Sequence, residues 1–233
     1  MELNKIYQGD CLELMKDIPD KSIDLVITSP PFNLGLSHHT GNIRHNPYFD
    51  NLPEEEYRLW QTKILNEIYK VLTPRGSLFY NHKNRIRQGK QISPYEWLLK
   101  TDFIIKQELV WFNRSQNFDK CRFYPMTERV YWLSKNIETD FYNNVNHHDL
   151  FEWKSVGTKN EHKRAFPVEL VKDILNCFPE NITVLDPFIG SGTTAIACLE
   201  LNRNYIGMEL EPKYVEIANK RIDDYKQQLR LAI

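Results

Sequence analysis

The sequence predicts an α/β fold built around a mostly parallel β-sheet. Short apolar runs rich in β-branched residues alternate along the chain with segments of helical periodicity, the pattern of strand–helix–strand units. Of the 233 residues, 41% are hydrophobic and 12% are aromatic, which is enough to bury a sizeable core. The sequence contains no internal repeat and no low-complexity tract. We therefore expect a single domain over residues 1–233, with a twisted sheet and helices on both of its faces.

The predicted elements follow from hydrophobic periodicity and from turn residues. Strands are predicted at 24–28, 77–80, 103–112, 130–133, 183–185 and 205–208, and helices at 54–72, 168–178, 193–201 and 212–229. Pro53 and Pro212 stand at helix starts, where a missing N–H has little effect. Residues 72–76, Leu-Thr-Pro-Arg-Gly, predict a helix end and a turn before the next strand.

Three segments carry few apolar anchors and are predicted to be irregular: 33–53, 82–93 and 143–164. Irregular segments of this length inside one domain are usually functional or mobile. We therefore expect them to be insertions that contact a macromolecular substrate.

Charge and cysteine content narrow the class of protein. Thirty Lys and Arg against 31 Asp and Glu give a formal charge of −1, so a globally basic nucleic-acid coat is excluded, although a local basic face would suffice for binding. No apolar run approaches the roughly 18–20 residues that cross a bilayer, and the first residues lack an apolar signal stretch. The four cysteines form no CxxC pair, which favours reduced thiols and no metal site. We expect a cytoplasmic protein that does not enter a membrane.

A glycine-rich turn lies between two predicted strands near the carboxyl end of the sequence. A β-branched strand ends at Asp186, and Gly190 and Gly192 permit a tight turn with close backbone approach to a ligand before a helix starts. The following strand ends at Glu209, where a carboxylate can accept hydrogen bonds from both hydroxyls of a ribose. The GxxxxGK[ST] phosphate loop is absent, and Ala195 stands where the full GxGxxG fingerprint has glycine. The pattern indicates a nucleoside-binding unit; the alternative is a tight turn without a ligand.

A second turn, Ser-Pro-Pro-Phe, follows the predicted strand 24–28. Pro30 and Pro31 fix the backbone and remove two N–H donors, so neighbouring carbonyls are left free to accept hydrogen bonds. Together with the Ser29 hydroxyl and the Phe32 ring, they could hold a planar base that bears an amino group. The alternative is a rigid loop that only caps the sheet.

These two motifs together resemble the amino-methylating DNA methyltransferases that use S-adenosylmethionine. The Ser-Pro-Pro-Phe turn precedes Asp-Pro-Phe-Ile-Gly-Ser-Gly-Thr-Thr in the chain, which is the circularly permuted order called the β group, as found in restriction–modification enzymes. The resemblance covers nearly the whole chain, from Tyr-Gln-Gly-Asp-Cys at 7–11 to Ala-Asn-Lys-Arg-Ile at 218–222. It implies a Rossmann-like fold, S-adenosylmethionine as cofactor, double-stranded DNA as partner and, as in many members, a homodimer.

The resemblance also implies roles for individual residues. Ser29, Pro30, Pro31 and Phe32 become the catalytic turn. Asp10 matches the acid that contacts the cofactor's adenine, with a helix N-cap as the alternative role for this side chain. The residues implied to bind the cofactor are Asp10, Cys11, Lys163, Asp186, Phe188, Gly190, Ser191, Gly192, Thr193, Thr194 and Glu209.

The identity of the methylated base stays open between two amino groups. Serine before Pro-Pro resembles the N4-cytosine enzymes, whereas the continuation Phe-Asn-Leu-Gly at 32–35 resembles adenine-N6 enzymes of the β group. We favour cytosine N4, and we reject methylation at carbon 5 because no cysteine has the Pro-Cys context.

The sequence also leaves open a non-catalytic module that binds the cofactor or DNA, and an enzyme that methylates RNA or protein amides. The intact Ser29, Phe32, Asp186 and Glu209 argue against loss of the catalytic site. A basic segment at 82–90 is a candidate for phosphate contacts on DNA whose target base is flipped out.

Overall fold

A computed structural model describes residues 1–34, 50–114, 122–143, 146–153 and 167–231. Its strands are β1 (Lys5–Gln8), β2 (Ile23–Thr28), β3 (Leu72–His82), β4 (Arg85–Arg87), β5 (Lys90–Ile92), β6 (Ile104–Phe112), β7 (Thr127–Ser134), β8 (Leu150–Phe151), β9 (Thr183–Asp186) and β10 (Asn204–Glu209). Its helices are α1 (Cys11–Leu14), α2 (Glu54–Val71), α3 (Tyr95–Leu98), α4 (Val168–Leu175), α5 (Thr193–Glu200) and α6 (Pro212–Leu231).

Within the described residues, eight strands form one twisted sheet in the order β1-β10-β9-β2-β3-β7-β6-β8. Five of its seven strand pairings are parallel and two, those of β7 with β3 and with β6, are antiparallel. The prediction that the strand ending at Asp186 lies beside the strand ending at Thr28 is confirmed, because β9 and β2 pair in parallel. The predicted α/β class with a mostly parallel sheet is therefore confirmed.

Side chains that alternate along the central strands pack into two separate hydrophobic cores. On β2, Leu25 and Ile27 join the core under α4, α5 and α6, whereas Val26 joins the core under α1, α2 and α3. This is the period-two alternation of a strand that is buried on both faces. Ile23 also joins the second core, because the register is irregular between Ile23 and Leu25. Helices thus cover both faces of the sheet, as predicted.

The sequence of α2 favours a helix at this position and determines which face of the helix is buried. Glu54, Glu55 and Glu56 lie in its first turn, where negative charge interacts favourably with the helix dipole. Its buried side chains recur every three or four residues and form one face against the sheet: Tyr57, Trp60, Gln61, Ile64, Leu65, Ile68 and Val71.

Several predicted boundaries and segments need correction. Strand β3 starts at Leu72, directly after α2, so residues 72–76 are strand rather than turn; an irregular register between Ile23 and Leu25 of β2 accommodates this start. Residues 82–93 are not irregular, because β4 and β5 form an antiparallel pair within them. The short elements β1, α3 and β8 were not predicted. Most of 33–53 and 143–164 lies outside the described residues.

Candidate active site at the carboxyl edge of the sheet

Five adjacent parallel strands end at one edge of the sheet. Strands β1, β10, β9, β2 and β3 run in the same direction, so the residues that follow them meet there. The chain leaves β9 toward one side of the sheet and β2 toward the other, and such a switch in strand order opens a cleft in α/β sheets. Both motifs singled out in the sequence, the glycine turn and the Ser-Pro-Pro-Phe turn, lie at this switch.

The Asp186 carboxylate joins the two motifs. Its Oδ1 accepts hydrogen bonds from the Thr28 hydroxyl at 2.8 Å and from the backbone N–H of Phe188 at 3.1 Å, and its Oδ2 accepts from the Thr194 hydroxyl at 2.6 Å. Burial raises the pKa of Asp186 to about 6, although these three donors favour its ionised form. Asp186 therefore fixes the geometry of both turns from inside the protein, and Thr28 is a partner that the sequence did not reveal.

The glycine turn has the backbone conformation that its sequence predicts. Gly190 and Gly192 have φ angles of +52° and +85°, in the left-handed region that glycine adopts without strain. A Cβ on Gly192 would lie 3.0 Å from Cβ of Ala218 on α6, so this position also needs the small residue for packing. Gly192 stands at the start of α5, whose first N–H groups point to the edge of the sheet.

Glu209 closes the glycine turn from the neighbouring strand. Its Oε2 accepts the backbone N–H of Gly190 at 3.0 Å, and its Oε1 accepts that of Glu211 at 2.9 Å. Burial raises the pKa of this carboxyl above its ordinary value, while the backbone N–H donors oppose that shift. Each carboxylate oxygen can accept a second hydrogen bond, so Glu209 can hold the turn and still bind hydroxyl groups.

Three further residues of the turn are buried and held inside the protein. The Arg221 guanidinium on α6 donates to the Ser191 carbonyl at 2.6 Å and to its hydroxyl oxygen at 3.0 Å. Thr193 and Thr194 are also buried, and Thr194 is bound to Asp186. The Ser191 and Thr194 side chains therefore stabilise the turn, and a cofactor would contact mainly the backbone of the turn.

Asp10 and Cys11 lie beside Glu209, because Gln8 at the end of β1 pairs with Glu209. The Asp10 side chain accepts the backbone N–H of Leu12 at 2.8 Å, so it caps α1 as the alternative interpretation predicted. The Cys11 side chain is buried in the core under α1 and α2, where burial raises the pKa of its thiol. Lys163 lies outside the described residues.

The Ser-Pro-Pro-Phe turn is held by contacts from β3. The Ser29 hydroxyl donates to Oδ1 of Asn81 at 2.9 Å, and the Asn81 amide donates to the Arg129 carbonyl at 3.0 Å. The Phe32 ring packs on His82, with 4.6 Å between ring centroids. Neither Asn81 nor His82 was recognised as part of the site from the sequence, because 52 positions separate Asn81 from Ser29.

Two cations of the basic segment 82–90 are engaged in contacts within the protein. Arg85 is buried and forms a two-pronged ion pair with Glu54, at 2.7 and 2.9 Å. Arg87 donates to the Asn33 carbonyl at 2.7 Å. Two of the four cations of this segment therefore hold it against α2 and the catalytic turn, which is a structural role that the sequence interpretation did not include.

Neither a metal-binding cluster nor a membrane-spanning helix occurs in the described part of the chain. No group of three or more His, Cys, Asp or Glu side chains there is arranged to hold a metal ion. Among the described helices, none combines the length and apolar character needed to span a bilayer.

Comparisons with known proteins place this geometry in a family. A family model described as a DNA methylase of the N6/N4 type matches residues 23–220. The type II methyltransferase M.BglII of Bacillus subtilis is 30% identical to this chain, in an alignment that covers 93% of this chain and 68% of M.BglII. M.HinfI of Haemophilus influenzae is also 30% identical, in an alignment that covers 96% of this chain and 69% of M.HinfI. The chain belongs to the N6/N4 DNA methylase family.

Solved structures agree with this fold. The cytosine-N4-specific PvuII DNA methyltransferase superposes with a TM-score of 0.76 at 24% identity, over 92% of this chain and 84% of its own. The complex of M1.HpyAVI with S-adenosylmethionine superposes with a TM-score of 0.64 at 25% identity, over 94% of this chain and 98% of M1.HpyAVI. This N6/N4 DNA methylase is thus a Rossmann-like, S-adenosylmethionine-dependent DNA methyltransferase of the restriction–modification type, and it acts on DNA.

Proposed function

We propose that this DNA methylase methylates the N4 amino group of a cytosine that is flipped out of double-stranded DNA onto the Ser-Pro-Pro-Phe turn. The observation that carries the proposal is the orientation of the Ser29 hydroxyl. Its single proton is donated to the carbonyl oxygen of Asn81, and the Asn81 amide is fixed in turn by the Arg129 carbonyl. The Ser29 oxygen therefore presents only lone pairs to the cleft, as an acceptor for an amino proton.

The exocyclic amino nitrogen is a poor nucleophile because its lone pair is delocalised into the ring. Hydrogen bonds from its two protons to Ser29 Oγ and to the Pro30 carbonyl favour a more tetrahedral nitrogen. As the new N–C bond forms, positive charge develops on the nitrogen, and two fixed oxygen acceptors stabilise it. The methylated nitrogen then loses one proton to solvent, because neither the serine oxygen nor the prolyl carbonyl is basic enough to keep it. No covalent bond between enzyme and base is required.

S-adenosylmethionine supplies a methyl group that its sulfonium charge has already activated. The residues at the carboxyl edge fit this cofactor: Glu209 has carboxylate lone pairs left for the ribose hydroxyls, and the positive φ of Gly190, which has no Cβ, allows close backbone approach to a ligand. Asp10 and Cys11 follow the adjacent strand end, and we assign them to the adenine. The protein's main contribution is to align the methyl donor with the amino nitrogen.

Base flipping follows from the position of the target atom. In a duplex the amino group faces the partner base, so the base must leave the stack at a free-energy cost of a few kcal/mol. Phe32 is half-buried and rigidly supported by His82. Stacking of the flipped base on this ring offsets part of the cost.

The Phe-Asn-Leu-Gly continuation at 32–35, which resembles adenine-N6 enzymes, contains a residue with a structural role that does not depend on the methylated base. Asn33 is buried, and its side chain donates to the Leu52 carbonyl at 3.0 Å and accepts the Leu52 N–H at 2.7 Å. Asn33 therefore ties the two ends of the 33–52 segment together. Its presence fits a cytosine enzyme as well as an adenine enzyme, which leaves Ser29 as the residue that favours cytosine.

Single-molecule sequencing of DNA from cells that express the enzyme tests the proposal. We expect N4-methylcytosine within one defined sequence context, and a smaller methylated fraction of those sites with Ser29→Ala. Ser134→Ala is the matched control, because Ser134 is a buried serine of the same sheet that bonds to the Asn136 carbonyl at the opposite edge. Modified adenine in place of cytosine, or an undiminished signal with Ser29→Ala, would contradict the proposal.

The family resemblance also suggests a homodimer and a single domain over the whole chain, and we include both in the proposal. Light scattering on the purified protein tests the first. A mass near that of one chain at assay concentrations would contradict the dimer.

A further inference from the structure

A buried chain of hydrogen bonds lies behind the catalytic turn. The Tyr57 hydroxyl on α2 is 2.7 Å from the Pro31 carbonyl oxygen and 2.7 Å from Nε2 of His82. Gln61, one helical turn further along, donates its amide to the same hydroxyl oxygen at 2.9 Å. Tyr57, Gln61 and His82 are fully buried, whereas Pro31 is partly exposed.

Counting protons leaves one arrangement that satisfies every group around Tyr57. A tyrosine hydroxyl donates one hydrogen bond and accepts two. The Pro31 carbonyl can only accept, so it takes the Tyr57 proton. His82 must then carry its hydrogen on Nε2 and donate it to the Tyr57 oxygen, which also accepts from Gln61. His82 Nδ1 is left unprotonated and accepts the backbone N–H of Lys83 at 2.9 Å, while the carbonyl of the partly exposed Lys83 receives no proton from the ring.

The other histidine tautomer has a different consequence. With its hydrogen on Nδ1, His82 would donate to the Lys83 carbonyl, which lies at 2.8 Å. Nε2 would then accept the Tyr57 proton, and the Pro31 carbonyl would lose its donor inside the protein. The catalytic turn would then lose this hydrogen bond to α2 and be free to rotate away from the helix. The position of one proton on His82 is thereby linked to the orientation of the turn.

The surroundings keep this arrangement in place. The Gln61 amide oxygen accepts the Tyr80 hydroxyl at 2.7 Å, which fixes the direction of its NH₂ group. Two cations lie near the His82 ring. Arg85 pairs with Glu54, and its guanidinium carbon lies 4.7 Å from the centroid of the Tyr57 ring. Lys83 follows His82 in the chain. Burial lowers the pKa of His82 to about 3; a hydrogen bond with the Lys83 backbone opposes this shift, and the two cations add to it. The ring therefore stays neutral at physiological pH.

Of the two prolyl carbonyls of the turn, the Tyr57 hydroxyl binds that of Pro31. Pro30 precedes a proline and is restricted to extended or polyproline conformations, in which successive carbonyls point about 120° apart. When Tyr57 holds the Pro31 carbonyl toward α2, the Pro30 carbonyl points elsewhere. The same His82 ring that donates to Tyr57 also supports Phe32.

We propose that Tyr57 and His82, the latter as its Nε2–H tautomer, are positioning residues that orient the Pro30 carbonyl and the Phe32 ring toward the base. The inference deepens the proposed function and rests on it for the identity of the reaction. The arrangement of protons, however, is a property of the protein alone and can be measured without substrate.

The first test is Tyr57→Phe, which keeps the ring and its packing and removes only the hydroxyl. We expect the single-turnover rate of methyl transfer, at saturating cofactor and DNA, to fall about ten- to a hundredfold through misplacement of the turn. The dissociation constant for S-adenosylmethionine should stay within about twofold, the limit of a change of some 0.4 kcal/mol. Tyr131→Phe is the matched control: Tyr131 is buried in the same core, and its hydroxyl is paired with Ser93 instead of the turn.

A purely structural role would lower the thermal stability of both variants and leave the rate per folded molecule unchanged. That result for Tyr57→Phe would overturn the proposal. If Tyr57→Phe failed to fold, the second test would still decide.

The second test measures, in the cofactor-free parent protein, which ring nitrogen of His82 carries the hydrogen. Nitrogen-15 NMR distinguishes protonated from unprotonated ring nitrogens, and His82→Gln identifies the signal. We expect hydrogen on Nε2, none on Nδ1, and no titration from pH 5.5 to 8. A ring with its hydrogen on Nδ1, or one that titrates in that range, would overturn the proposal whatever the enzyme's activity. A parent protein that shows the expected tautomer but methylates no DNA would overturn only the proposed function.

Discussion

The Thr28 hydroxyl donates a hydrogen bond to the Asp186 carboxylate at 2.8 Å across 158 positions of sequence. Thr28 directly precedes the catalytic turn, and Asp186 directly precedes the glycine turn. Both side chains are buried where β2 and β9 lie side by side. The two halves of the site are therefore joined by one hydrogen bond to a buried carboxylate, whose loss should affect both.

Thr28→Val tests this link with a side chain of nearly the same shape. We expect the variant to lose about 1.5–3 kcal/mol of unfolding free energy, the usual contribution of a hydrogen bond to a charged group. The loss should be larger at pH 8 than at pH 5, because the missing donor stabilises the ionised carboxylate more than the protonated carboxyl group. Urea unfolding at both pH values measures it. Equal losses would show that the bond does not depend on the charge of Asp186.

Asp186 itself should make stability depend on pH. Burial raises its pKa from 3.8 to about 6, so the folded protein retains a proton that the unfolded chain loses between pH 4 and 6. The contribution of Asp186 to unfolding free energy therefore falls as pH rises through that window and is constant above it. A shift of about two units corresponds to about 3 kcal/mol.

Asp186→Asn removes this titration. The unfolding free energy of the variant, relative to the parent, should increase by up to about 3 kcal/mol between pH 4 and pH 7. Asp223→Asn, on the exposed side of α6, controls for the loss of one negative charge. A difference for Asp186→Asn that did not change with pH would contradict the raised pKa.

Glu209→Ala should weaken cofactor binding. Removal of a carboxylate that binds ribose hydroxyls costs about 1.5–3 kcal/mol, which raises the dissociation constant for S-adenosylmethionine about ten- to a hundredfold. Because Glu209 also holds the backbone of Gly190, thermal unfolding must accompany the calorimetry. Glu13→Ala, which removes an exposed carboxylate on the nearby α1, should bind cofactor as the parent does. Unchanged affinity for Glu209→Ala would exclude Glu209 from the cofactor site.

Asn81 and Ser29 should behave as one unit in catalysis. Ser29→Ala should lower the methyl-transfer rate about ten- to a hundredfold, since it removes an acceptor for developing positive charge. Asn81→Ala frees the Ser29 proton and should lower the rate about three- to tenfold. The double variant should be no slower than Ser29→Ala alone, as expected for two residues of one hydrogen-bonded pair. Single-turnover assays measure all three, and fully additive effects would show that Asn81 does not act through Ser29.

Local sequence signals predicted much of the fold. The β-branched runs that end at Thr28 and Asp186 indicated the central strands, and the glycine turn between β9 and α5 followed from its two glycines. Short elements with weak periodicity escaped prediction. Strand β1 has only four residues and lies at the edge of the sheet, and β4 and β5 have three each.

The partners of the site residues were harder to predict than the residues themselves. The motifs contain Ser29 and Pro31, but Asn81 and Tyr57 reach them from 52 and 26 positions away. Glu54 likewise pairs with Arg85 from another element, so that a predicted DNA-contacting cation is an internal one. Such contacts arise only when β2, β3 and α2 are packed together, and no local pattern in the sequence encodes them.

Mass spectrometry of nucleosides tests the central claim most directly. The purified enzyme is incubated with DNA and methyl-deuterated S-adenosylmethionine, and the DNA is then hydrolysed to nucleosides. We predict deuterated N4-methylcytosine, formed at the parent rate by Ser134→Ala and much more slowly by Ser29→Ala. Label in N6-methyladenine or 5-methylcytosine, or label incorporated at the parent rate by Ser29→Ala, would contradict the role assigned to Ser29 and to the base that it binds.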